Sequence, residues 1–117
     1  MAWTIDSDRP VYLQIVEHIT NEIFSGRIKP GEQIKSVRDL ATEAAVNPNT
    51  MQKALQELER IGLVFTRRTS GRYVTEDAEL IRKQKDKKTK EQLDAFLERM
   101  GNIGISREDL IRLLKDK

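Results

Sequence analysis

The sequence predicts an α+β, mostly helical fold: three helices and a two-stranded β-hairpin, followed by two C-terminal helices. Three observations predict it. Apolar residues recur at helical spacing in three successive segments up to Ile61. After Gly62 the apolar period drops from about 3.6 to 2 across two short runs joined by a turn. From Glu76 the composition changes to long, highly charged helical segments carrying two apolar clusters.

The first helix has Asp8 as its expected cap and Pro10 in its first turn. Tyr12, Ile15, Val16, Ile19 and Ile23 form its inward stripe, opposite Glu17, Asn21 and Glu22, and Gly26 ends it. Pro30-Gly31 marks a turn. Ser36, with Asp39 three residues on, reads as a capping box opening a second helix with Val37, Leu40, Ala41 and Ala44 inward. Ala45 to Pro48 breaks and restarts the chain. Asn47 suits an N-cap, and Pro48 the first helical position of a third helix whose stripe is Met51, Ala54, Leu55 and Leu58. Gly62 fits its left-handed end. Leu63 to Thr66 and Arg72 to Thr75 read as strands around the turn Arg67 to Gly71. Two helices joined by a turn of three to four residues have helix-turn-helix geometry, and the hairpin that follows is a wing.

Residues 1–75 are therefore expected to form one domain, and residues 76–117 a two-helix segment. In that segment Leu80, Ile81, Leu93, Phe96, Leu97 and Met100 lie on a long helix that Gly101 and Gly104 are expected to break. Ser106 with Asp109 opens a last helix carrying Leu110, Ile111, Leu113 and Leu114. Forty-two residues cannot form a core alone. These ten apolar residues need a cover, and a second copy of the same segment supplies one.

Composition removes several functions. The chain has no cysteine and one histidine, His18, which reads as a partly buried packing residue. No nucleophile–base pair, glycine-rich phosphate loop, metal-ligand spacing or cofactor motif is visible, so no catalytic or metal residue is assigned. With neither a signal-peptide pattern nor a long apolar run, the protein is expected to be soluble and cytoplasmic. Net charge is only +2, so any polyanion must be met by basic groups gathered on one surface.

Those groups have candidates. With the third helix's stripe turned inward, Asn49, Thr50, Gln52, Lys53 and Gln56 face outward. Asn and Gln can each make two hydrogen bonds to adenine in the major groove, while Thr and Lys suit phosphates or base edges. The same pattern also suits a merely solvated helix face. Ser36 and Arg38, at the start of the second helix, would then abut the DNA backbone. Arg67-Arg68-Thr69-Ser70-Gly71-Arg72 places three arginines around one turn, a tip that fits a minor groove. The run Arg82 to Lys90, with six cations and one acid, reads as a solvated helix face, with nonspecific phosphate contact as the alternative.

Taken together, Tyr12 to Ile15, Gly26 to Glu32, Ser36 to Ala41, Asn47 to Thr50, Ala54 to Glu59 and Gly62 to Val64 resemble the DNA-binding domain of the GntR family of bacterial regulators. The short two-helix C-terminal part is similar to the YtrA-type branch of that family. The resemblance implies a winged helix-turn-helix, a homodimer and a palindromic operator on double-stranded DNA, often with a repressor's role. Carried over by position, it implies DNA contacts at Ser36, Arg38, Asn47, Asn49, Thr50, Gln52, Arg68, Thr69, Ser70 and Gly71. The residue reading adds Lys35, Pro48, Lys53 and Arg67. The sequence departs from the family at Lys35, usually proline, and at Thr69, usually glycine. A winged-helix module that docks a protein, without specific DNA readout, is the alternative, and a small-molecule effector is left open.

Overall fold

The computed structural model describes residues 3–117. The elements run α1 (Val11–Phe24), α2 (Val37–Ala44), α3 (Pro48–Arg60), β1 (Val64–Arg67), β2 (Gly71–Val74), α4 (Ala78–Asn102) and α5 (Arg107–Lys115). The chain divides into two compact units, Met1–Arg82 and Lys83–Lys117.

In the first unit α1 and α2 both pack against α3. Ile15, Met51, Ala54, Leu55, Leu58, Leu63 and Val74 are fully buried at its centre. Burying a side chain of Leu, Ile or Met size is worth about 1.5–3 kcal/mol. Turning α3 about its axis would expose three such groups at once, which fixes the outward face of the helix.

Helix α1 begins differently from the sequence expectation. Its N-cap is Pro10, which has no capping side chain, and not Asp8. The entering chain is held by the buried Gln14 instead: its amide oxygen accepts from Asp6 N–H at 2.7 Å, and its amide nitrogen donates to the Asp6 and Arg9 carbonyls at 2.7 and 3.0 Å. Helix α2 ends in a left-handed turn in which Val46 N–H reaches Ala41 C=O and Ala45 N–H reaches Thr42 C=O. The left-handed position, with φ 58°, is occupied by Ala45. α3 ends in the same way, with Gly62 at φ 85°.

β1 and β2 pair antiparallel, with Val64 opposite Val74 and Arg67 opposite Gly71. The loop before α2 adds a short third edge that the sequence did not suggest. Gln33 bridges to Tyr73, Ile34 N–H donates to Arg72 C=O at 3.0 Å, and Val74 N–H donates to Glu32 C=O at 2.9 Å.

The first unit extends through Arg82, past the expected boundary at 75/76, because Ile81 packs against the core and a leucine methyl of Leu80 lies 3.3 Å from where a Cβ on Gly62 would be. In the second unit Gly101 does not break the helix but lies within α4, and the left-handed turn falls at Gly104, φ 84°. α5 opens with a full capping box: Ser106 Oγ accepts from Asp109 N–H, and Asp109 accepts in return from Ser106 N–H, both at 3.1 Å. These bonds hold the Asp109 carboxyl below the usual carboxylate range. No residue of α4 or α5 is fully buried.

Ala45 generates a test. A left-handed L-residue is strained by about 1–2 kcal/mol, and branching at Cβ worsens the strain. Ala45→Val is expected to destabilise the chain by more than about 1 kcal/mol in urea unfolding. Ala45→Gly should stay within about 1 kcal/mol of wild type, since relief of strain offsets the greater freedom of the unfolded chain.

Candidate nucleic-acid interface

Helix α3 presents the first part of the surface. Asn47 caps it through Oδ1, which accepts from Asn49 N–H at 2.7 Å, and Pro48 takes the first helical position. With Met51, Ala54, Leu55 and Leu58 buried, Asn49, Lys53 and Gln56 stand exposed and Thr50 and Gln52 are half-buried. Lys53 is not a free cation, since its Nζ lies 3.9 Å from the centre of the Tyr12 ring on α1.

Helix α2 presents the second part. Ser36 Oγ accepts from Asp39 N–H at 3.1 Å, the helix-capping half of the expected box. Lys35 is tied down: its Nζ lies 2.7 Å from Glu43, which also accepts from the Trp3 indole at 3.3 Å. The hydrogen bond and charge of Glu43 raise the Lys35 pKa, and the bonds from Lys35 and Trp3 lower that of Glu43. Trp3 packs on the core and stacks on His18 at 3.9 Å, which gives His18 the packing role read from the sequence.

The wing presents the third. Its strands alternate faces, and each face is occupied. Thr66 and Arg72 are cross-strand partners, and both reach Glu59 on α3: Thr66 Oγ1 at 2.5 Å and Arg72 Nε at 2.7 Å. On the other face Phe65 and Tyr73 pair with ring centres 6.0 Å apart, and the Arg67 guanidinium lies over both rings, 5.6 Å from Phe65 and 4.6 Å from Tyr73. The turn is Arg68-Thr69-Ser70. The Gln33 amide donates to Ser70 C=O in a short hydrogen bond. Among the described residues Ala45 alone has positive φ without being glycine. Thr69 therefore takes an ordinary backbone conformation, and the positive φ of this turn, 104°, falls on Gly71.

Charge is distributed unevenly across these parts. Of the eleven lysines and arginines up to Arg82, nine are engaged by carboxylates, carbonyls or rings. Among the described residues up to Arg82, Arg38 and Arg68 alone have no such partner. One lies in the first turn of α2 and the other at the wing tip. The structure ties the elements bearing the candidate residues into one assembly: the wing docks on α3 through Glu59, and the segment entering α2 pairs with β2. Sequence reasoning missed Glu59 and Gln33. Neither belongs to an apolar stripe, and their partners lie up to 37 residues away. Among the described residues no group of three or more His, Asp or Glu could hold a metal ion, and no helix is long and apolar enough to cross a membrane.

Known proteins share this architecture. The family model described as bacterial regulatory proteins, gntR family, matches residues 11–74. The HTH-type transcriptional regulator YhcF of Bacillus subtilis is 38% identical over 109 residues, covering 93% of this chain and 90% of that protein. The HTH-type transcriptional repressor YtrA of Bacillus subtilis is 37% identical over 111 residues, covering 94% and 85%. Among solved structures, a GntR family transcriptional regulator from Listeria monocytogenes superposes with a TM-score of 0.90 at 37% identity, covering 97% of this chain and 99% of that one. The DNA-binding domain of AraR in complex with its operator ORX1 gives a TM-score of 0.59 at 25% identity, covering 64% and 95%.

The chain belongs to the GntR family. It is a DNA-binding transcription regulator with a winged helix-turn-helix, and not an enzyme.

The Glu59 junction is expected to depend on pH. Burial alone would raise its pKa, but the hydrogen bonds from Thr66 and Arg72, with the Arg72 charge, outweigh burial and lower it. A carboxyl depressed by folding stabilises the fold fully above its unfolded value of about 4.3 and loses that contribution as pH falls through the native value. Glu59→Gln is therefore expected to cost about 1–2 kcal/mol at pH 7. In urea unfolding the gap from wild type should shrink steadily below about pH 4.3. A gap independent of pH would exclude a charge-based junction.

Proposed function

We propose that this regulator binds a palindromic operator as a homodimer and acts as a repressor. One observation carries the DNA face: the two arginines of the first unit without a local partner stand at the start of α2 and at the wing tip, one before and one after α3 in the chain. Around them Lys35, Ser36, Asn47, Pro48, Asn49, Thr50, Gln52, Lys53, Arg67, Thr69, Ser70 and Gly71 form the rest of the proposed surface. Arg38, Ser36 and the free N–H groups that open α2 suit phosphates. Asn49 and Gln52 suit base edges in the major groove, and Arg68 suits the minor groove. Lys35, Lys53 and Arg67 would have to leave Glu43, Tyr12 and the wing aromatics to meet a phosphate directly. Their contribution is that of a positive field. The operator-bound AraR domain supports the DNA partner, and the repressor role of the YtrA relative supports repression.

The second unit supports the dimer. Leu93, Ile111, Leu113 and Leu114 are 46–71% exposed, and Phe96 39%. A groove of about 160 Å³ runs between α4 and α5, lined by Leu93, Phe96, Leu97, Leu110, Ile111 and Leu114. A twofold partner covers such a surface with its own copy. Met100 is half-buried on the same helix. Leu80 and Ile81, expected at this seam, face the first unit, which limits the proposed seam to Leu93 onward.

For DNA, gel shifts on a duplex selected from a random pool should show Gln52→Ala losing about 1–3 kcal/mol on the preferred sequence. Arg38→Ala should weaken all sequences alike and reduce the salt slope by about one. Unchanged binding by both would remove these assignments. For the dimer, Phe96→Glu is expected to give monomers in sedimentation equilibrium and at least roughly tenfold weaker operator binding. A wild-type chain that sediments as a monomer at micromolar concentration would contradict the seam.

A further inference from the structure

We propose that Glu59 and Gln33 are positioning residues that hold the wing at one angle to α3, so that the DNA contact made by Arg68 depends on both. The inference rests on the reading of Arg68 as a DNA contact.

Beyond the backbone pairing of residues 31–34 with β2, the wing has little else to hold it. It is two strands of four residues, a size that is marginal on its own. Only Val64 and Val74, the pair at its root, are buried. The tip begins at Arg68, four residues beyond Val64. At about 3.3 Å per residue that is a lever of about 13 Å, so a swing of about 10° at the root moves the tip by about 2 Å. A displacement of that size breaks a hydrogen bond.

The two side chains act where the lever is long. Glu59 grips Thr66 and Arg72, two registers out from the root, on the face turned to α3. Gln33 grips the turn itself, donating to Ser70 C=O, while its backbone bridges the outer edge of β2 at Tyr73. One restrains the wing at its face and the other at its edge, so together they resist swing in two directions. A Cβ on Gly71 would come within 3.3 Å of the Gln33 amide, so a larger residue there would disturb the same grip. Gln33 also lies three residues before the Ser36 cap, which links the position of the wing tip to the start of α2.

A double-mutant cycle on the full chain tests this, with a duplex selected by wild type as probe. Arg68→Ala is expected to weaken binding roughly tenfold in the wild-type background and less than about threefold in the Glu59→Ala and Gln33→Ala backgrounds. The salt slope should fall by about one with Arg68→Ala in wild type and hardly change in either background. Stability alone would not move that slope. Gln33 is exposed, so Gln33→Ala keeps the test open if Glu59→Ala does not fold. A full tenfold loss in both backgrounds overturns the positioning role. No loss on Arg68→Ala in wild type overturns the wing contact itself, a distinct outcome.

Discussion

The seating of α3 is the constraint on which the molecule depends. Met51, Ala54, Leu55 and Leu58 are fully buried along one side of the helix, so the orientation of the other side follows from that burial. Asn49 and Gln56 are exposed and take no part in holding the helix in the core, and Lys53 adds only its contact with the Tyr12 ring. Packing leaves the choice of these side chains open, while it restricts the stripe beneath them. The stiffness of this arrangement comes from apolar burial and not from the surface ion pairs, each worth only about 0–1 kcal/mol.

Charge follows the same economy. A chain with net charge +2 has little long-range attraction for a polyanion. Up to Arg82 most of its lysines and arginines are matched within the fold, which leaves Arg38 on α2 and Arg68 on the wing as the exceptions there. Pairing Arg72 with Glu59 and seating Arg67 on Phe65 and Tyr73 serve the shape of the wing, and Arg68 is left to project from it. An arginine cluster that looks uniform in the sequence therefore divides into two kinds of role.

What could be read from the sequence was local. The third helix, its Asn47–Pro48 opening, its stripe and its glycine end all depend on residues within a few positions of one another, and each is found where expected. The change of period at Gly62 placed the hairpin for the same reason. The differences arise where distant residues meet. Asp8 has the chemistry of a cap, but the buried Gln14 closes the entry to α1 from inside the helix. Gly101 has a weak helix propensity, yet the turn falls three residues later, where Gly104 adopts positive φ. Leu80 and Ile81 continue the apolar pattern of α4 but lie against the first unit. Glu59 and Gln33 looked like ordinary surface residues, because nothing near them in the chain reveals partners on the wing. Lys35, Lys53 and Arg67 were recognisable as basic residues, but their engagement with Glu43, Tyr12 and the wing aromatics is tertiary.

Amide chemical-shift mapping during titration with a selected duplex addresses the presented surface most directly. Perturbations are expected to concentrate at the start of α2 from Ser36, along Asn47 to Gln56, and at Arg68 to Gly71, with the buried positions of α3 shifting little. Strong perturbations on the outer side of α1, with α3 and the wing tip silent, would mean that DNA meets a different face and that the apolar stripe does not aim the reading surface.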